Sequence, residues 1–502
     1  MKVCVVGCGV SGLAAIKTCK ESSIDVVCYE QDKNIGGIWK YREETVEGIP
    51  SVAKSTIINV SKSLIAFSDF PPPKDFPNYM HNKITYKYLQ MYAEEFSLIP
   101  HVKFYHRVEK IVQFDDYETT GKWTVTTLNL QNGEENIEIF DAVMICSGHH
   151  AYPNIAKFEG QDKFQGRITH THSYKRPNEF EDKKVVVVGV GNSGVDAAVE
   201  TSNVADKVYL STRRGCWILP RVGLYGKPND EFLLTRIFAI LKHFVPFNIP
   251  DIVLRHYLNI RFDHGMYQLK PKHGVFQQHP TANDALPSRI LNGTVIIKGN
   301  IQRFESNGVV FEGDNEITEV DEVILATGYD IKFPFLNKDI IDTKDNRIHL
   351  YKLMFPSHLK HNTLAFIGLF QPYGGAFPIS EMQCRWFVEV LKKNVLLPDR
   401  EEMEKEITEM ISDNDRRYYN SKRHSIQVDY VEYLDNLATK IKVKPNFLRL
   451  FFSDPKLFWA LLMGPSLPYQ YRLQGPHSWP QARKVILEHK ERSTAPLKNK
   501  IQ

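Results

Sequence analysis

Short runs of β-branched residues that end in glycine alternate with longer stretches whose apolar positions recur every three or four residues. That is the pattern of strands and helices taken in turn. The chain opens with a strand at Lys2–Val6, a helix over about residues 11–22, and a second strand, IDVVCYE, ending at Glu30: a βαβ start. A unit of the same form begins at Lys183, with a strand at Lys184–Val188, a helix over about 193–202 and a strand, DKVYLSTRR, over 206–214. DAVMICSG (141–148) and DEVILATGYD (321–330) read as buried strands running into a glycine. WTVTTLNL and ENIEIF alternate around QNGE, as a hairpin does, and GVVFEGDN reads as a further strand and turn. DFPPPKDFP (69–77) must be a loop, because proline removes donors and fixes the backbone. Residues 215–300 lack a clean period and read as an insertion; from about 331 helices and loops mix.

Two of these units carry one chemical device. VCVVGCGVSGLAA places Gly7, Gly9 and Gly12 after a strand, and VVVVGVGNSGVD (185–196) places Gly189, Gly191 and Gly194 likewise. In such a turn the first glycine permits a tight bend, the second lets backbone approach a pyrophosphate, and the third lets helix and strand pack closely. The phosphates then meet unpaired N–H groups and the positive end of the helix dipole. Both copies follow a β-branched strand and open a helix, which is the context that gives the motif meaning.

The end of the following strand separates the copies. Glu30 offers a carboxylate to ribose hydroxyls, which suits FAD or NAD. The second copy ends LSTRR, so Ser211, Thr212, Arg213 and Arg214 stand there instead. A guanidinium with hydroxyls suits a 2′-phosphate and hence NADPH, although taken alone the arginines equally describe a solvated strand end. GGIW at 36–39 offers another close approach of backbone to the flavin nucleotide, or a plain turn. CSGHH and ATGYD fit crossovers between the two nucleotide units, or simple strand ends.

The expected fold is therefore α/β, with two Rossmann-like dinucleotide-binding domains, a helical insertion and a C-terminal helical region. Residues 1–150 form the first part of the FAD-binding domain. Residues 151–330 form the NADP-binding domain, with the insertion at about 215–300. Residues 331–502 return to the FAD domain and add the C-terminal helices.

Bulk numbers agree with this size. A chain of 502 residues suggests two or three domains. Hydrophobic residues at 42% and charged residues at 24% are ordinary for a folded soluble protein. A net charge of +4, from 63 basic and 59 acidic residues without a long basic run, argues against a nucleic-acid partner. The seven cysteines are odd in number and several lie in strands or turns, so they read as reduced thiols; none has metal-ligand spacing. The N-terminal apolar run fits a strand and glycine turn rather than a leader. No run of about 18 apolar residues could span a bilayer. FLLTRIFAILKHFVPF (232–247) and LFWALLMG (457–464) are shorter, and read as core or surface helices or as helices lying in a membrane interface.

Between the glycine turns lies FQGRITHTHSY, in which Phe164, Gly166, His170 and Tyr174 match F-x-G-x-x-x-H-x-x-x-Y. With DFPNYMHN, FDAVMICSGHHAYPN, VGVGNSGVD, ATGYD and GPHSWPQAR, the chain resembles the flavin-containing monooxygenases, animal members of the dimethylaniline monooxygenase type, over essentially its whole length. The resemblance implies that NADPH reduces FAD and that O₂ adds to the reduced flavin as a C4a-hydroperoxide. A soft nucleophile, an amine or sulfide among small xenobiotics or metabolites, then takes one oxygen atom. It implies Asn59, in STIINVSKS, as the catalytic amide beside flavin and nicotinamide, although Asn59-Val60-Ser61 is also a glycosylation sequon and reads locally as a turn asparagine. It implies FAD contacts from Gly7, Cys8, Gly9, Val10, Ser11, Gly12, Glu30, Ile38, Trp39, Asn59 and Val60. NADP contacts are implied from Gly189, Gly191, Asn192, Ser193, Gly194, Val195, Asp196, Ile58 and Asn59, with Ser211, Thr212 and Arg213 added by the phosphate argument. His170 is expected to hold the domain junction rather than to act as a base.

The resemblance further implies the cytosolic face of the endoplasmic reticulum membrane. The chain departs from animal members in ending ERSTAPLKNKIQ without a long apolar tail, so peripheral membrane contact and a cytosolic location both stay open, as does oligomeric state, a dimer included. Three alternatives remain. Baeyer–Villiger oxygenation of ketones usually goes with tryptophan and often proline at the end of the fingerprint, where this chain has Tyr174-Lys175. A flavin disulfide reductase would need a redox cysteine pair beside the flavin. A non-catalytic flavoprotein scaffold would not need both glycine turns intact.

Overall fold

The computed structural model describes residues 1–244, 248–418 and 425–498. Val3 to Val6 are all buried, and strands covered on both faces must be apolar throughout, so this run forms the centre of a parallel sheet. That sheet has five strands in the order Leu364–Phe366, Ala142–Ile145, Lys2–Val6, Asp25–Tyr29, Val102–Lys103. Val6 stands in register with Tyr29 on one side and Ile145 on the other. The outer strand at Leu364–Phe366 brings the last third of the chain back onto the first sheet, and helix Ala376–Leu391 packs on helix Val10–Glu21.

The second parallel sheet repeats the design, in the order Val295–Lys298, Lys207–Ser211, Lys184–Val188, Glu322–Leu325, Arg167–His170. Val188 stands opposite Ser211 and Leu325. Its outer strand, Val295–Lys298, comes from the 215–300 stretch expected as an insertion. The inserted helices Asn229–Leu233, Arg236–Phe244 and Asn248–Arg261 all lie upstream of it. The expected hairpin is present, with Trp123 opposite Phe140, and His106–Gln113 completes an antiparallel three-stranded sheet.

The two glycine-ended strands feed neighbouring crossovers. Gly148 and Gly328 both take positive φ, and the segments beyond them pair antiparallel, Tyr152–Pro153 against Tyr329–Asp330. Asn154 fastens the ribbon, its N–H donating to Gly328 O at 2.9 Å and its Nδ2 to Asp330 Oδ1 at 2.7 Å.

All seven cysteines are free and buried. The 232–247 segment is not one helix. The chain breaks at Leu234 and Thr235, where Ser466 N–H donates to Leu234 O at 2.8 Å, before Arg236–Phe244 begins. Residues 245–247 of that segment lie outside the described residues. The 457–464 segment belongs to helix Pro455–Met463, which packs on Arg236–Phe244. Among the described residues no helix is long and apolar enough to cross a membrane, and no group of side chains is arranged to hold a metal ion.

Candidate active site

The first turn folds tightly because Gly7 takes φ +93°, and a Cβ there would lie 3.0 Å from the Cys146 carbonyl oxygen. A Cβ on Gly12 would run into the Gly7 carbonyl, so strand and helix meet at backbone contact. Helix Val10–Glu21 starts with no side-chain cap, and its first helical bond is Leu13 N–H to Gly9 O at 3.0 Å. The N–H groups ahead of Leu13 thus have no helical carbonyl to meet. Gly9, Val10 and Ser11 face a cleft of about 470 Å³ whose other walls include Glu30, Ile38, Trp39, Ile58, Asn59 and Val60. Cys8 and Gly12 stand behind the turn. The Cys8 N–H and carbonyl are already bonded, to Glu30 Oε2 at 2.7 Å and from Gly36 N–H at 2.9 Å.

Glu30 is buried at the far end of the cleft. Its second oxygen accepts the Asp32 N–H at 2.8 Å. Burial pushes its carboxyl above the usual carboxylate range, against the pull of these two N–H groups. Each oxygen keeps a lone pair for a further donor. Ser147 Oγ and His149 Nδ1 are buried without a protein partner, and both residues line the cleft. Enclosure pushes the neighbouring His150 down to about 4, so its imidazole is neutral at pH 7.

A second, apolar cavity of about 230 Å³ adjoins this cleft. Leu219, Leu233, Phe238, Leu254 and Phe276 form much of its wall, and it shares Asn59, Val60, Pro372 and Gly374 with the cleft. Asn59 is therefore the polar side chain at the junction. Its Oδ1 accepts from Arg221 Nη2 at 2.6 Å. A guanidinium only donates, so the amide oxygen faces Arg221 and the NH₂ group must point the other way. Arg221 also pairs with Asp284 at 3.8 Å. At the far end of the cavity Lys242 meets Asp429 at 2.9 Å, and Arg417 holds the same carboxylate with both nitrogens, at 2.6 and 3.0 Å. Arg417 and Lys242 overcome burial and pull the Asp429 carboxyl down to about 2.

The second turn repeats the first. Gly189 takes φ +112°, and a Cβ on Gly194 would run into the Gly189 carbonyl. Helix Asn192–Thr201 begins without a side-chain cap. Space in front of Gly191 is open, with no atom within 4 Å of an added Cβ. Ser193 and Arg213 are exposed on the same side of the sheet's carboxyl end, whereas Val195 is buried in the core beside Leu210. Two expected contacts are already engaged with protein. Asn192 Oδ1 accepts the Ala282 N–H at 2.8 Å, and Asp196 Oδ1 accepts from Asn283 Nδ2 at 2.9 Å, so both fasten the 281–283 segment. Asn192 also lines the apolar cavity. Ser211 donates to Gly299 O at 2.8 Å and Thr212 Oγ1 accepts the Gly215 N–H at 2.9 Å, whereas the exposed Arg213 has no hydrogen-bond or ion-pair partner among the described residues.

A family model described as flavin-binding monooxygenase-like matches residues 1–502. Flavin-containing monooxygenase 5 of Rattus norvegicus is 44% identical over 502 residues, covering 100% of this chain and 94% of that protein. Flavin-containing monooxygenase 3 of Homo sapiens is 41% identical over the same coverage. The chain belongs to the flavin-binding monooxygenase family. The S-allyl-L-cysteine S-oxygenase of Allium sativum superposes with a TM-score of 0.66 at 23% identity, covering 97% of this chain and 98% of that one. An oxidised steroid monooxygenase bound to NADP superposes at 0.63 with 17% identity, covering 88% and 97%. These two likenesses show a shared fold.

A flavin monooxygenase must hold a flavin dinucleotide, and the residues around the larger cleft fit one. The uncapped helix start suits a pyrophosphate, Glu30 suits a ribose, and the orphaned Ser147 Oγ and His149 Nδ1 offer polar contacts in a cleft otherwise rich in backbone. The family fingerprint itself lines neither cavity. A Cβ on Gly166 would strike the Asp321 carbonyl, and Tyr174 Oη bonds Glu200 and Thr201 at 3.3 Å. His170 sits buried at the end of strand Arg167–His170, its Nδ1 accepting the His172 N–H at 3.0 Å, beside Tyr329 of the crossover ribbon. Gly166 and Tyr174 thus pack within the second unit, and His170 rests against the crossover ribbon.

Arg221, Tyr79 and Asp230 belong to the site, yet sequence reading did not single them out. Tyr79 lies within DFPNYMHN, and Asp230 opens the short helix after Pro228, which is a local cue to a helix start but not to a site.

Proposed function

We propose that this protein uses NADPH and O₂ to oxygenate the nitrogen or sulfur of small apolar molecules. One oxygen atom ends on the substrate and the other leaves as water, with NADPH supplying the two electrons. When bound, the reduced flavin supplies the activation of O₂. The observation that carries the reading is the meeting of a dinucleotide-sized cleft with an apolar cavity at a single oriented amide, Asn59. The apolar walls exclude water and favour an uncharged nucleophile. The open second turn with Arg213 at its strand end supports NADPH as the reductant.

The same residues support a place at a membrane surface. Helices Arg236–Phe244 and Asn248–Arg261 turn Phe238 and Leu254 into the cavity while exposing Leu241, Phe244, Ile252 and Val253. Leu448, Phe452 and Trp459 are exposed nearby on Phe447–Ser453 and Pro455–Met463. An apolar outer face backing an apolar cavity suits peripheral contact with lipid and a short route for lipid-borne substrate.

The deciding experiment follows NADPH consumption, oxygenated product and hydrogen peroxide together, with a tertiary amine, a sulfide and a cyclic ketone. N-oxide or S-oxide formed in proportion to NADPH supports the reading. A lactone in its place would favour ketone oxygenation, and peroxide alone with every substrate would defeat both.

A further inference from the structure

Asn59 is gripped by Arg221, and both ends of that grip lead to one carboxylate. Asp230 Oδ2 accepts the N–H of Ser61, two residues beyond Asn59, at 2.6 Å. Tyr79 Oη lies between Asp230 Oδ1, at 3.0 Å, and the Arg221 carbonyl oxygen, at 2.8 Å, and its single proton is shared between these two acceptors. The Glu231 N–H reaches Oδ1 as well, at 3.1 Å. The segment carrying Asn59 is further pinned by Ile58 N–H to Met80 O at 2.9 Å and Lys62 N–H to Asn78 O at 2.7 Å, on either side of Tyr79. Asn59, Ser61, Asp230, Tyr79 and Arg221 thus close a ring that ties two distant segments together.

Asp230 lines the apolar cavity, and among the described residues its hydrogen-bond partners are Ser61, Tyr79 and Glu231, with no cation bonded to it. A carboxylate in an apolar wall without a cation is costly to keep charged, so ion pairing does not explain it. It offers acceptors on both oxygens, and donors meet both. We propose that Asp230 is a positioning residue, holding Asn59 so that its NH₂ group points into the cleft junction. Asparagine in its place would fit the same volume but turn one acceptor into a donor facing a donor.

This inference rests on the proposed function only in taking Asn59 as the working amide. Burial pushes Asp230 up to about 6, so protonation should weaken the ring in mildly acidic solution. The titratable and charged groups around it are Tyr79 from the 58–80 segment, Arg221 beyond it, Glu231 with its partner His489, and Tyr430 from helix Tyr430–Lys440.

The test compares wild-type holoenzyme with Asp230→Asn, Tyr79→Phe and, as a control on the same helix, Glu231→Gln. The Glu231 side chain binds His489 and Ser493, and only its backbone N–H, which Glu231→Gln keeps, touches Asp230. Two readouts are taken: peroxide released per NADPH, and the change in absorbance of the bound flavin on adding NADP⁺, each from pH 5.5 to 8. Asp230→Asn and Tyr79→Phe should each raise the peroxide share roughly fivefold, the worth of one hydrogen bond. Both should alter the flavin difference spectrum, and Asp230→Asn should abolish the wild-type change with pH near 6. Glu231→Gln should match wild type at pH 8 and, with one carboxylate charge fewer beside Asp230, move the change with pH only to lower pH. Asp230→Asn and Tyr79→Phe behaving as wild type would overturn the proposal, as would Glu231→Gln shifting both readouts at pH 8 as much as they do. If wild type makes no oxygenated product at all, the functional reading fails, while the spectral arm still decides the positioning role.

Discussion

Arg221 donates through Nη2 to Asn59 Oδ1 at 2.6 Å, although the two residues lie in different nucleotide units of the chain. The bond fixes which end of the amide is the donor. Removing it frees the amide to rotate and to present oxygen where a hydrogen is wanted. Arg221→Met should therefore keep flavin bound but lower product formed per NADPH. Asn59→Leu should go further, cutting product formation about 10²-fold, the usual cost of losing one oriented donor. Product and peroxide, measured against NADPH consumed, check both.

The third glycine of each turn separates the two cofactors experimentally. An alanine at either place meets a backbone carbonyl, at Gly7 or Gly189, that cannot move without breaking the turn. Gly12→Ala should yield colourless protein. Gly194→Ala should stay yellow but lose reduction by NADPH. Each should cost about 1–3 kcal/mol of stability through overpacking. Flavin absorbance and anaerobic reduction distinguish the two.

Arg213 is exposed just beyond Lys207–Ser211 and has no partner among the described residues, while the flanking hydroxyls already bond Gly299 and Gly215. If it meets the 2′-phosphate, Arg213→Ala should raise KM for NADPH roughly 10- to 100-fold, the worth of a hydrogen bond to a charged group, and leave KM for NADH as it was. Equal effects on the two would remove Arg213 from that role.

Asp429 carries a pH signature. Its carboxyl is drawn from 3.8 down to about 2 by Arg417 and Lys242. A depressed folded-state value contributes stability above the unfolded value and loses it as pH falls through the folded one. The window is thus about pH 4 to 2. Asp429→Asn should be less stable than wild type at neutral pH, by on the order of 2 kcal/mol, and converge with it near pH 2. Urea midpoints across that range measure the difference.

The apolar outer face gives a direct binding test. Flotation with phosphatidylcholine vesicles should carry wild-type protein upward. Phe244→Asp with Phe452→Asp, at positions 83% and 76% exposed, should leave it at the bottom without lowering the melting temperature. Flotation of both proteins alike would dismiss this surface as the contact.

Both parallel sheets were legible because a strand buried on two faces is written as an unbroken apolar run, and because the glycine turn couples a backbone angle to a residue type. Glu30 was legible for the same reason, as the residue that ends the second strand. The cavity was not. Its walls come from short helices in the inserted and C-terminal stretches, where no single period persists. The ring around Asn59 joins positions 59–61, 79, 221 and 230, and hydrogen bonds across more than 140 residues leave no local pattern. The family resemblance marks Asn192 and Asp196 as cofactor contacts. In the fold their side chains anchor the 281–283 segment, a duty invisible without the third dimension.

Tyr152–Pro153 and Tyr329–Asp330 form the paired ribbon through which the chain passes between its two nucleotide units. A narrow hydrogen-bonded ribbon resists stretching and sliding far more than it resists bending across its width. A swing about that ribbon would have to part Arg221 from Asn59 and Asp230 from Ser61, so the two units are latched on the side where the cleft meets the apolar cavity.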